Sequence, residues 1–73
     1  MRGTEFAELS AFVAVAERKN FAKAAGYLGI APSTLSQTIR SLEERLDVRL
    51  LHRTTRSVSV TEAGERLLFR IRP

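Results

Sequence analysis

Residues Phe21 to Leu46, "FAKAAGYLGIAPSTLSQTIRSLEERL", carry helix-type apolar spacing at both ends and a break in the middle. The break is "GIAP", Gly29 to Pro32. A glycine enters a left-handed turn without a Cβ penalty and so closes a helix. A proline suits the first turn of a new one, where its missing N–H has no intrahelical partner to lose. The chain must therefore turn here. It makes two short helices at an angle, with the start of the second pointing outward.

What surrounds this corner is small. A chain of 73 residues buries only about 60–65 % of its unfolded surface, so one thin-cored domain is expected. There are no cysteines, which excludes disulfide staples and thiolate metal sites and fits a reducing compartment. Stability must come from helix packing, with self-association as the available supplement. The longest apolar run, "FVAVA", is far short of the roughly 20 residues a membrane span needs. The start "MRGTEF" lacks the apolar segment of a secretion signal. A cytoplasmic location follows as the expectation.

Upstream of the corner, Phe6, Leu9, Phe12, Val13 and Ala16 recur at helical spacing and predict an amphipathic helix from Thr4, as N-cap, to about Arg18. Glu5 and Glu8 sit favourably against its dipole. Asn20 reads as the cap of a short helix, Phe21 to Leu28, whose alanines 22, 24 and 25 allow close approach of a neighbour. Ile30 plugs the corner. From Pro32 on, Leu35, Ile39, Leu42 and Leu46 form a narrow inward stripe, and Ser33, Ser36, Gln37, Arg40 and Glu44 fall on the opposite side.

After Asp47 the period changes. "VRLLHRTTRSVSVT" predicts a β-hairpin with strands near 50–53 and 57–60. Thr61 then caps a last helix with Glu62 and Glu65 in its first turn and an apolar edge of Ala63, Leu67, Leu68 and Ile71. That helix ends in "RIRP" and reads as cut short.

Ala25, Gly29 and Leu35 stand at the offsets of a helix-turn-helix: a small residue at the crossing, a glycine in the turn, an apolar anchor in the second helix. Taken alone, that spacing equally describes an ordinary helical corner. Charge tips the balance. The formal net charge is +4, and all eight basic residues between positions 32 and 73 are arginine, against five acidic ones. Arginine's planar fork suits phosphate and base edges. The predicted mode places the second helix's N-terminus in the major groove of duplex DNA and the hairpin, as a wing, on the backbone or adjacent minor groove.

The candidate DNA-binding residues are Pro32, Ser33, Thr34, Ser36, Gln37, Arg40, Arg53 and Arg56. Gln37 has the bidentate amide that reads adenine, against the plain reading of a solvated glutamine. Arg40 either meets phosphate or pairs with Glu44 one turn later. Arg56, at the hairpin tip, has few local partners. His52 is the sole histidine and reads as structural, since no second ligand completes a metal site. No nucleophile–base arrangement is suggested, so no catalytic residue, metal or cofactor is expected. Leu67, Leu68 and Ile71 are read either as core or as a dimer interface.

The motifs "A-A-x-x-L" from Ala24, "P-S-x-L-S-x-x-I-R-x-L-E-x-x-L" from Pro32, "L-x-x-R-T-x-R" from Leu50 and "T-E-A-G" from Thr61 occur in order. This arrangement resembles the N-terminal winged helix-turn-helix of LysR-type transcriptional regulators. The resemblance implies a mainly α fold: a three-helix core, a two-stranded wing and the start of a linker helix. It implies a winged domain over residues 1–60 and a truncated linker or dimerisation helix over 61–73. It further implies a bacterial regulator binding a dyad-related promoter site as a homodimer through antiparallel linker helices. Residues at the positions of Pro32, Ser33, Ser36, Gln37, Arg53 and Arg56 contact DNA in that family; position 37, glutamine here, is commonly arginine there. A small-molecule effector would be sensed only by a domain outside these 73 residues. The competing reading is a winged helix that binds protein or RNA; stacking aromatics for single strands are not evident on its exposed faces.

Overall fold

The fold is described from a computed structural model, which covers residues 3–53 and 58–71. Its elements run α1 (Gly3–Arg18), α2 (Phe21–Leu28), α3 (Pro32–Leu46), β1 (Leu51–Arg53), β2 (Val58–Val60) and α4 (Glu62–Ile71). This is the mainly α, winged arrangement expected from the sequence.

The α1 helix begins at Gly3, so Thr4 stands inside it and not at its cap. Its buried stripe is Ala11, Phe12 and Val15, flanked by Ala14 and Ala16. Leu9 and Val13 lie at the edge of the core, and Phe6 is 63 % exposed. The expected apolar face is thus rotated. Because Glu8 lies one turn before Phe12, it shares Phe12's face and is buried. A buried carboxylate needs a partner; Arg45 of α3 donates to it through Nη2, tying α1 to α3.

Asn20 caps α2 as expected: its backbone is extended and its side-chain oxygen accepts the Lys23 N–H at 2.8 Å. At the other end Gly29 takes φ 73° and donates to the Gly26 carbonyl, while Ile30 N–H reaches the Ala25 carbonyl at 3.0 Å. These are the paired bonds of a Schellman closure. Ile30 itself stays partly exposed and fills the corner only in part.

In α3 the buried residues are Leu35, Ile39 and Leu42. Leu46 completes the stripe in sequence but is 41 % exposed, because the helix stops beside it. Asp47 ends α3 in the left-handed conformation, φ 56°, with a second Schellman pair to Glu43 and Glu44.

The hairpin strands are antiparallel in the register Leu51↔Val60, His52↔Ser59 and Arg53↔Val58. The first strand begins one residue later than expected, since Leu50 precedes β1; Ser57, the expected start of the second, lies outside the described residues. Leu50 and Leu51 enter the core beside Phe12, Leu35, Ile39 and Leu42. Thr61 then makes four bonds, one of them from the Glu65 N–H to its carbonyl at 2.8 Å as α4 begins. Its N–H donates to Leu50 O, its hydroxyl donates to Arg49 O at 2.6 Å, and its Oγ1 accepts the Gly64 N–H at 3.0 Å, capping α4. Gly64 passes so close to β1 and β2 that an added Cβ would lie 2.4 Å from Leu50 O and 2.5 Å from Val60 Cγ1. The glycine of "T-E-A-G" is there for close approach, since its conformation is ordinary helix.

The apolar edge of α4 divides. Leu68 is buried in the chain's own core, the first of its two readings; Leu67 and Ile71 pack partly against that core. Phe69, 85 % exposed, is the large apolar side chain that α4 turns outward. None of the described helices is long and apolar enough to cross a membrane.

Candidate nucleic-acid interface

With Leu35, Ile39 and Leu42 held in the core, the start of α3 is forced outward. Pro32, Ser33, Thr34, Gln37 and Arg40 are exposed and Ser36 is half-buried. Proline occupies the first turn, and Ala31 at the N-cap offers no side-chain hydrogen bond. The helix therefore begins without a capping side chain, and its dipole and first N–H groups face solvent where an anion is favoured.

Two shallow grooves flank α3. One, about 520 Å³, runs between α1 and the polar side of α3 and is lined by Ala7, Glu8, Ser33, Thr34, Gln37, Thr38 and Ser41. Its charge is quenched, because Glu8 is paired to Arg45. The other, about 540 Å³, lies toward the wing and mixes Arg40, Arg49 and Arg53 with Glu43, Glu44, Asp47 and Val48. Arg40 makes no ion pair with Glu44 or any other acidic group among the described residues. Of the two readings offered for it, the local pair is absent and the free cation remains.

Arg53 is differently placed. From β1 it reaches back to α3, donating from Nη1 to Ser36 Oγ at 3.1 Å, with Nη2 4.0 Å from Glu43 Oε1. Its guanidinium also stands 4.7 Å from the ring centroid of Phe21 in α2. One side chain thereby links the wing to both helices of the corner. Arg56 lies outside the described residues. His52 is exposed on the hairpin, opposite Ser59.

Sequence reasoning missed Glu43. Its Oε2 accepts the N–H groups of Leu50 at 2.8 Å and Leu51 at 3.2 Å, so the carboxylate organises the approach to β1. The signal available was its place immediately after Leu42, on the margin of the buried stripe. Phe21 was likewise read only as a helix start, and an Arg–Phe contact over 32 positions has no local signature.

Comparison with known proteins now bears on this geometry. Residues 6–65 match the family model described as "Bacterial regulatory helix-turn-helix protein, lysR family". The whole chain is 56 % identical to the HTH-type transcriptional regulator PgrR of Escherichia coli K12, of which it covers 24 %. It spans between about a fifth and a quarter of the length of PgrR and similar curated relatives. Among solved structures, the CbnR DNA-binding domain in complex with DNA superposes with a TM-score of 0.88 at 37 % identity, over 92 % of this chain and 77 % of that one. The BenM DNA-binding domain with its catB site 1 DNA gives 0.82 at 43 % identity, over 86 % and 70 %. The corner, the wing and the family match agree: this chain belongs to the lysR family of bacterial regulatory helix-turn-helix proteins.

Proposed function

We propose that this chain is the DNA-binding domain of a bacterial LysR-type transcriptional regulator, inserting α3 into the major groove of a specific duplex site. The observation that carries this reading is the split face of α3. Leu35, Ile39 and Leu42 anchor it, while Ser33, Thr34 and Gln37 stand exposed at an N-terminus without a side-chain cap. Such a helix offers base-reading side chains and a phosphate-attracting dipole at the same place. The CbnR and BenM domains, which share the fold, are seen with DNA bound.

In this reading Ser33, Thr34, Ser36 and Gln37 face bases and the adjoining phosphates, Pro32 sets the helix start, and Arg40 meets the backbone. Arg56 is assigned to the backbone or minor groove from its sequence position. Residues 1–60 form the winged domain and 61–73 begin the dimerisation helix, with Leu67 and Ile71 at its edge. The regulator acts in the cytoplasm as a homodimer on a dyad-related promoter site, with any effector sensed elsewhere in the protein.

The test is selection of duplexes from a randomised pool by the 73-residue chain, followed by footprinting of the recovered sequence. A protected, recurrent motif whose affinity falls steeply with salt is expected. Equal retention of every sequence, or preference for single-stranded RNA, would overturn the assignment.

A further inference from the structure

Most arginines beside a nucleic-acid-facing helix are expected to reach for phosphate. Arg53 is instead engaged at the surface by the protein's own side chains. Its guanidinium is shared among Ser36 of α3, the Glu43 carboxylate and the face of Phe21, and its side chain is 29 % exposed. The nearby carboxylate offsets part of its charge, and three partners on two helices fix its orientation. What it touches on the presented face is a hydroxyl.

That contact has a directional consequence. A serine hydroxyl carries one donor and two acceptor positions and rotates to suit its surroundings. Here the guanidinium occupies one lone pair of Ser36 Oγ and repels the hydroxyl proton, which must point away from Arg53. Among the described residues, no acceptor takes that proton. Thr38, half a turn further on, shows the alternative: its hydroxyl donates at 2.8 Å to the Thr34 carbonyl and is spent on its own helix.

We propose that Arg53 is a positioning residue that acts on DNA through Ser36: the Arg53–Ser36 hydrogen bond makes α3 present the Ser36 O–H as a donor to an acceptor atom on the duplex. The inference rests on the duplex-binding reading above. The acceptors that fit are a phosphate oxygen, a purine N7, guanine O6 or thymine O4; exocyclic amino groups do not. A lysine could supply charge at position 53 but not the planar fork that holds Ser36 while facing Glu43 and Phe21.

The experiment titrates wild-type chain, S36A, R53K, R53M and S36A/R53K against a duplex selected by the wild type and against a scrambled duplex, over a salt series. Circular dichroism melts confirm that each variant is folded. R53K and R53M should both weaken the selected duplex about tenfold, as S36A does. Adding R53K to S36A should cost less than about twofold more, since the two residues act as a unit. The slope of log affinity against log salt should stay at the wild-type value. A loss in S36A confined to the selected duplex assigns the acceptor to a base edge; an equal loss on both duplexes assigns it to phosphate.

The proposal is overturned if R53K binds as wild type while R53M flattens the salt slope by about 0.9, the signature of one direct phosphate contact. Additive losses for S36A and R53K overturn it too. A DNA-free arm separates its failure from that of the parent reading: urea unfolding of the same four-member cycle should show Ser36–Arg53 coupling. Coupling in the free protein without duplex binding by the wild type rejects the DNA role while leaving the hydrogen bond; absence of coupling rejects the hydrogen bond itself.

Discussion

The Glu43 carboxylate accepts the Leu50 N–H at 2.8 Å and, with the same oxygen, the Leu51 N–H at 3.2 Å. Both leucines are buried at the point where the chain leaves α3 for the wing. An acidic side chain on α3 therefore closes two backbone donors that the two-stranded sheet leaves over. Glu43→Ala should cost about 2–3 kcal/mol, because buried donors lose their acceptor, whereas Glu43→Gln keeps an acceptor oxygen and should cost less than about 1 kcal/mol. Urea unfolding measures both, and amide exchange at Leu50 and Leu51 should accelerate in the alanine variant alone.

Gly64→Ala tests the seam between wing and α4. The new methyl would meet Leu50 O at 2.4 Å and Val60 Cγ1 at 2.5 Å, so backbone must shift. A loss of about 2–3 kcal/mol is expected even though alanine favours helix by about 1 kcal/mol over glycine. A thermal midpoint at or above wild type would show that the seam yields to a methyl group without cost.

The Glu8–Arg45 pair should respond asymmetrically. Glu8 is buried and Arg45 about 42 % exposed, so water can solvate the arginine but not the carboxylate. Arg45→Met strands a buried charge and should destabilise by about 1–3 kcal/mol, discounted for solvent access. Glu8→Met removes the charge and fills the space, and should fall within about 1 kcal/mol of wild type. The double variant should resemble Glu8→Met; chemical denaturation of the three decides it.

Asp47 holds a left-handed conformation at φ 56° with no glycine to relieve it. Asp47→Gly should stabilise the chain by up to about 1 kcal/mol, the strain relieved less the extra entropy of an unfolded glycine. Its net charge rises by one, so a parallel gain in non-specific duplex affinity is expected at low salt. A lower melting temperature would contradict the strain argument.

Gln37 and Arg40 separate the two kinds of contact proposed for α3. Gln37→Ala should cost about 1–3 kcal/mol on the selected duplex and relax preference at one base pair. Arg40→Ala should weaken all duplexes similarly and reduce the salt slope by about 0.9. Equal, sequence-blind losses for both variants would remove the distinction between them.

The elements of this protein are set by local chemistry, and so the sequence by itself determined them. Asn20 has a cap's side chain, Gly29 a turn's freedom and Pro32 a first turn's fixed φ; each acts on neighbours a few positions away. Leu35, Ile39 and Leu42 sit inward because helical geometry puts them on one side, and that alone turns Ser33, Thr34 and Gln37 outward. Rotation and partnership were decided only in three dimensions. Phe6 and Phe12 are equally apolar, yet one is exposed and the other buried, because the core forms around Phe12 and carries Glu8 in with it. Leu68 joined that core while Phe69 beside it did not. The tie from Arg53 to Ser36, Glu43 and Phe21 spans elements up to 32 residues apart. Such contacts depend on where whole elements dock, and periodicity within any one element carries no record of its neighbour's position.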